Sequence, residues 1–208
     1  MRRLNSLNFT THAQVAGWYD TKFTEMGGSW AVPETELDDF LDRLGVKPIT
    51  KGEPVWSLLE FGCGDGKLME RAILRGGMVC GMDISEVALD FARARLSKLS
   101  PEGEAWAVVN EPMEDTGFMD NIVDFVISYG SMEHSLDIQA ATNEMARVLK
   151  PGGRFLNYAP NSEWVHEDQP LETTMDPDEW QVIYTTAGLA VESITKVNDN
   201  HIYVGYKL

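Results

Sequence analysis

The chain has 208 residues, 43% of them hydrophobic, which suffices for one domain with its own core and carries no sign of disorder or a fibrous repeat. Seventeen Lys and Arg face 33 Asp and Glu, a formal charge of −16, and the longest basic run is Arg2-Arg3. That balance speaks against a nucleic-acid substrate, because phosphate neutralisation needs clustered cations, and acidity by itself serves solubility. No apolar run approaches the ~20 residues of a membrane span, Met1 to Ser6 lacks the apolar stretch of a secretory leader, and Cys63 and Cys80 make no disulfide framework. A cytoplasmic protein with no membrane partner is the expectation.

Residues 1–50 are the least regular part. They read as a helical cover with one helix over 33–44, and the aromatics Phe9, Trp18, Tyr19, Phe23 and Trp30 packed on a sheet edge or over a ligand. Over residues 51–208, short apolar runs alternate with helical patterns, which predicts βαβ units and a parallel sheet. The first strand is expected over 55–61, a helix over 67–75 closed by Gly76-Gly77, and the second strand over 78–82. Ser85 predicts the N-cap of a helix running to about Leu99, with Val87, Phe91, Ala94 and Leu99 on one face. The third and fourth strands are expected over 105–110 and 123–128. A helix over 138–149 is stopped by Lys150-Pro151-Gly152-Gly153, and the fifth strand follows over 154–159. Asp176, Pro177 and Glu179 carry the N-cap, first-turn proline and capping-box signals of a helix reaching Ala187. Strands over 189–197 and 202–208 flank Asn198-Asp199-Asn200, a tight-turn sequence, so the last strand is expected antiparallel to its neighbour.

Glu60-Phe61-Gly62-Cys63-Gly64-Asp65-Gly66 joins the first strand to the first of these helices. Glycines at alternate positions allow a sharp turn and close backbone approach to a ligand, and the helix N-terminus behind them favours a carboxylate or phosphate. Tight turns use glycine anyway, so the loop alone is weak evidence. Asp83 sharpens it: it ends the second strand about twenty residues on, the spacing of an acid that binds ribose hydroxyls. Capping the next helix is the competing role, and Ser85 already fills it.

Those segments, with Arg147-Val148-Leu149-Lys150-Pro151-Gly152-Gly153-Arg154, resemble in order and spacing the class I S-adenosylmethionine (SAM)-dependent methyltransferases. The resemblance covers residues from about 54 to the C-terminus. It implies an α/β, Rossmann-like, seven-stranded, mostly parallel sheet with an antiparallel C-terminal strand and helices on both faces. It implies SAM as cofactor, S-adenosylhomocysteine (SAH) as product, and no metal. It gives Glu60, Gly62, Cys63, Gly64 and Gly66 to the methionine half of SAM, Asp83 to the ribose hydroxyls, Ile84 to an adenine face and Ser128 to the same site. Family members place Asp-Ala after the third strand, the Asp holding the adenine amine; this chain has Pro112-Met113 there. Proline offers neither acceptor nor N–H, so the Met113 N–H with Glu111 or Glu114 must substitute.

Ser128-Tyr129-Gly130-Ser131-Met132-Glu133-His134 follows the fourth strand, where open parallel sheets bind ligands. His134 is the candidate general base for an oxygen or nitrogen nucleophile, or equally a structural histidine at a helix start. Tyr19, Tyr129, Trp164 and His166 are candidates to line the pocket of a small-molecule acceptor. The acidic segment 161–168 would suit a cationic acceptor such as an amine, and a solvated loop explains it as well. No Asn-Pro-Pro-Tyr motif, magnesium-holding Asp-Asn pair or metal-spaced histidine occurs. Two alternatives remain: a nicotinamide-dependent oxidoreductase, against which Gly66 stands one place early for Gly-x-Gly-x-x-Gly, and a SAM-fold scaffold without catalysis.

Overall fold

The computed structural model describes residues 2–5, 7–28, 32–53, 55–100, 104–160 and 171–208, with 2–5 and 171 as backbone alone. A small sheet pairs β1 (Arg2–Asn5) antiparallel with β7 (Leu171–Thr174). The main sheet has seven strands in the order β4-β3-β2-β5-β6-β9-β8. Here β2 is Ser57–Phe61, β3 Met78–Met82, β4 Trp106–Val109, β5 Val123–Tyr129, β6 Leu149–Pro160, β8 Leu189–Val197 and β9 Asn200–Lys207. Strands β2 to β6 pair in parallel, and β9 alone runs against them, between β6 and β8. The cause is local: Val197 pairs with Asn200 across Asn198-Asp199, and so short a link joins only antiparallel strands. The antiparallel β9 inserted between β6 and β8 speaks against the nicotinamide alternative, whose dinucleotide fold follows the order 3-2-1-4-5-6.

Helices cover both faces. On one, α2 (Glu34–Leu44), α3 (Lys67–Leu74) and α4 (Glu86–Leu96) bury Phe40, Leu68 and Leu89. On the other, α5 (Ile138–Val148) and α6 (Pro177–Thr186) bury Met145, Trp180 and Tyr184. Each large apolar side chain taken from water contributes about 1.5–3 kcal/mol before entropy is counted. The Asp176–Glu179 capping box forms as expected, with Pro177 at the first helical position.

Several boundaries move for physical reasons. Val55 is 58% exposed, and the first main-sheet strand begins at Ser57 instead. Helix α4 ends at Leu96 and buries Ala88, Leu89, Ala92 and Leu96, so the expected face of Val87, Phe91, Ala94 and Leu99 is corrected. The Lys150-Pro151-Gly152-Gly153 turn does not precede β6 but bulges within it, between the Val123–Leu149 and Phe125–Arg154 pairs. Gly153 is required there, because a Cβ would stand 2.8 Å from the Lys150 carbonyl oxygen.

The largest correction is in residues 1–50. A fifteen-residue helix, α1 (His12–Met26), occupies a stretch without an obvious period, and buries Val15 and Phe23. Its ends carried readable signals: Thr11 and Gln14 form a capping box, and Gly27 closes the helix at φ 68°. Asp20 docks it on α4, accepting from Ser85 Oγ at 2.6 Å and from the Val87 N–H at 3.3 Å.

Candidate active site

The carboxyl ends of β2, β3 and β5 open into a cavity of about 840 Å³ that α1 covers with Val15, Trp18, Tyr19 and Phe23. The floor is the turn from β2 into α3, where Gly62, Gly64 and Gly66 take φ of 68°, 53° and 76°. Gly62 must lack a side chain, since a Cβ there would lie 2.4 Å from Ser131 Cβ. Ser131 Oγ in turn donates to the Phe61 carbonyl at 2.6 Å, tying this turn to the loop after β5.

Two carboxylates face the turn. Asp83 accepts the Gly64 N–H on Oδ2 and the Ser85 N–H on Oδ1, each at 2.9 Å. Burial pushes its carboxyl up to about 6, against the pull of those N–H groups, and Asp20 adds to the rise. Glu60 is 3% exposed, and its Oε2 is buried with no hydrogen-bond partner. Burial drives its carboxyl far above the usual range, Asp65 and Asp83 adding to this, while the Met69 N–H offsets part.

Ile84, Met113 and Glu114 also line the cavity, as do Tyr19, Tyr129 and His134. Glu114 Oε1 is taken by the Leu136 N–H at 2.7 Å and the Asp137 N–H at 3.2 Å, with His12 Nε2 3.3 Å from Oε2. It holds the loop before α5, which leaves Glu111, also in the cavity lining, as the acceptor side chain of this segment. Cys63 lines the cavity too, but its thiol packs over Gly81, and burial raises its pKa.

Two expected site residues do not line the cavity. Gly66 lies under α4, where a Cβ would meet Ala92 Cβ at 3.2 Å, so its role is helix packing. Ser128 is wholly buried beneath the loop; its Oγ is 2.7 Å from Ser131 Oγ and accepts the Met132 N–H at 3.3 Å. Trp164 and His166 lie outside the described residues.

Around the loop after β5, the Tyr129 ring stacks on Tyr158 at 4.9 Å and its hydroxyl donates to Glu36 at 3.3 Å. The Tyr19 ring meets His134 edge-on at 5.9 Å, and burial with Glu133, Asp83 and Glu172 nearby holds its hydroxyl protonated. His134 Nε2 is 3.9 Å from Glu133 Oε1. Sequence reasoning missed Glu133 and Glu172 as cavity residues. Glu133 stood inside a segment already singled out, beside the more conspicuous His134. Glu172 lies on a four-residue strand that gives no periodic signal.

A methyltransferase-domain family model matches residues 59–157, from β2 through most of β6. A ubiquinone biosynthesis O-methyltransferase of Alkalilimnicola ehrlichii is 30% identical over 152 residues, covering 71% of this chain and 61% of that protein. Over residues 59–157 the chain belongs to the methyltransferase-domain family, in the class I SAM-dependent fold. It spans about three fifths of that relative's length. The methyltransferase fold is shared with the crystal structure of the [4+2]-cyclase SpnF at TM-score 0.76 and 17% identity, over 95% of this chain and 96% of that one. It is shared also with geranyl diphosphate C-methyltransferase from Streptomyces coelicolor A3(2) at TM-score 0.71 and 18% identity, over 84% and 77%.

The residues of this cavity fit SAM. The orphaned Glu60 oxygen matches an amino-acid ammonium, the Gly62 cradle admits close backbone approach, and Asp83 retains acceptor capacity for ribose hydroxyls. Asp83→Ala is expected to weaken SAM binding roughly 10- to 100-fold, the scale of one or two charge-assisted hydrogen bonds, with the fold intact because Asp83 follows the end of β3. Wild-type affinity should fall as pH drops below about 6, where the carboxyl takes up a proton. Calorimetry from pH 5 to 8 checks both, and an unchanged affinity in folded Asp83→Ala removes the ribose role.

Proposed function

We propose that the chain transfers the SAM methyl group to an oxygen or nitrogen of a small molecule. Residues 1–50 serve as the cover and 51–208 as the cofactor-binding domain. The observation that carries this reading is the joining, in one cavity, of a cofactor end (Glu60, the glycine turn, Asp83) to an aromatic end (Tyr19, Tyr129, Tyr158). At about 840 Å³ it stands near the top of the ~300–1,000 Å³ range of small-molecule sites, with room for two ligands side by side.

SAM supplies a methyl group already activated on a sulfonium. The protein's task is therefore to align the acceptor at about 3–3.5 Å and exclude water, which α1 does from above. His134, which lines the cavity, is the candidate base for an acceptor hydroxyl that must lose its proton. The −16 charge favours small molecules over nucleic acid. Among the described residues no group of three His, Cys, Asp or Glu is arranged to hold a metal ion. No helix among them is long and apolar enough to cross a membrane. A cytoplasmic site of action is supported by two free cysteines.

SAM and SAH are expected to bind with micromolar affinity and NAD and NADP not detectably, by calorimetric titration of all four. Isotope-labelled methyl-SAM incubated with a metabolite extract should then give a labelled small molecule. NAD binding in preference to SAM would sink the assignment. SAM binding without any labelled product would favour the second reading, a SAM-fold protein that transfers no methyl group. The 95% coverage by a protein named a cyclase gives that reading its support.

A further inference from the structure

We propose, resting on the methyl-transfer reading, that the acceptor is an amine, held as its ammonium by the Glu133 carboxylate in the aromatic end of the cavity. Glu133 sits in the 3-10 turn Met132–His134 after β5, is 3% exposed and lines the cavity. Its Oε2 is buried with no hydrogen-bond partner. A carboxylate so placed is costly unless a ligand brings a donor, and a cationic donor compensates most. Strand β7 lays Glu172, 1% exposed, against the same turn, so two carboxyl groups line this end together.

The surroundings select charge. The cavity lining holds eight Asp and Glu carboxyl groups against two lysines, Lys22 and Lys67, so an anionic acceptor is disfavoured and a cation favoured. Tyr19 from α1, Tyr129 from β5 and Tyr158 from β6 present aromatic rings, whose faces attract an ammonium. His134 Nε2 stands 3.9 Å from Glu133 Oε1, and Oε2 is the oxygen left without a partner.

Burial, with Glu172 nearby, pushes the Glu133 carboxyl up to about 8, so at pH 7 the ligand-free side chain is mostly protonated. An arriving ammonium displaces that proton to solvent. For transfer, the ammonium passes one of its own protons to the Glu133 carboxylate. The freed nitrogen lone pair forms the N–CH3 bond as the S–CH3 bond breaks, its electron pair returns to sulfur, and SAH and the N-methylated amine remain.

The test uses SAH-saturated protein titrated calorimetrically at pH 7 with phenethylamine, 2-phenylethanol and 3-phenylpropanoate, in two buffers of different ionisation enthalpy. Phenethylamine should bind at least ~10-fold tighter than the alcohol, the scale of one charge-assisted hydrogen bond, with 3-phenylpropanoate weakest and close to one proton released per amine bound. Glu133→Gln should lose both the amine preference and the proton release, keep SAH affinity within about threefold, and melt higher than wild type at pH 8.5 when ligand-free. Glu133→Asp should keep part of the preference. Equal or tighter binding of the alcohol or the carboxylate, no detectable amine binding, or a preference that survives Glu133→Gln would overturn the proposal. A tenfold loss of SAH affinity in Glu133→Gln would also overturn it, by giving the carboxylate to the cofactor. Should Glu133→Gln not fold, the probe order and proton release of the wild type decide. Failure of SAH to bind wild-type protein sinks the methyl-transfer reading instead, and is read before any amine is added.

Discussion

Glu60→Gln is expected to raise the melting temperature of the ligand-free protein at pH 8 while weakening SAM binding by roughly 100-fold. The two effects have one cause. A carboxylate 3% exposed, with an unpartnered oxygen and with Asp65 and Asp83 nearby, resists ionisation. Its folded pKa stands well above its unfolded value, so its protonation stabilises the fold at low pH, and that stabilisation is lost as pH rises through the folded pKa. Each unit of displacement corresponds to about 1.4 kcal/mol, and a chain of this size gains about 2–4 °C per kcal/mol recovered. Glutamine keeps an acceptor for the Met69 N–H and carries no charge at any pH. The gain in melting temperature should therefore shrink as pH falls toward the ordinary carboxylate range. SAM binding loses the charge that an amino-acid ammonium would meet, in a site where water cannot substitute. Thermal melts from pH 5 to 9 and calorimetry with SAM read the two effects separately. A variant that melts lower at pH 8 and binds SAM as wild type does would make Glu60 a structural residue.

Gly62→Val should cost about 2–5 kcal/mol of stability and take SAM binding below detection. At φ 68° a side chain pays about 1–2 kcal/mol for the left-handed conformation alone. The remainder comes from overlap: a Cβ at Gly62 falls 2.4 Å from Ser131 Cβ and 2.7 Å from Ser131 Oγ, and overpacking typically costs 1–3 kcal/mol. The displaced Ser131 would lose its bond to the Phe61 carbonyl, freeing the loop that carries Glu133 and His134. Gly117→Val separates strain from overlap, because Gly117 has the same φ of 68° and a Cβ there meets nothing within 4 Å. That control should lose about 1–2 kcal/mol in denaturant unfolding and bind SAM normally. Equal losses in the two variants would mean that contact with Ser131 contributes nothing.

What the sequence determined by itself is what depends on neighbours along the chain. Strand β3 falls on residues 78–82 as expected, because a short apolar run bounded by glycine and aspartate allows little else. Ser85 caps α4, and Asp176 with Glu179 boxes α6, because caps are bonds between residues two or three apart. The Asn198-Asp199 turn forces β9 antiparallel for the same reason of short reach. That the glycine turn and Asp83 meet at one end of the sheet was legible, since turn chemistry and strand-end position both follow from local order.

Tertiary structure decided the rest. Helix α1 was hidden because it buries Val15 and Phe23 over fifteen residues, and it lies over a cavity instead of a core, so no apolar stripe marks it. The inward face of α4 is Ala88, Leu89, Ala92 and Leu96 because small residues admit the turn under Gly66, a demand set by packing between two elements. Ser128 and Gly66 fall outside the cavity lining because a position in a motif does not say which way a residue faces. Glu133 and Glu172 became one acidic wall only when β7, some forty residues further along the chain, folded back on the turn after β5. Glu133 acquires its raised proton affinity through burial, with Glu172 adding to it from far along the chain, which no local pattern records.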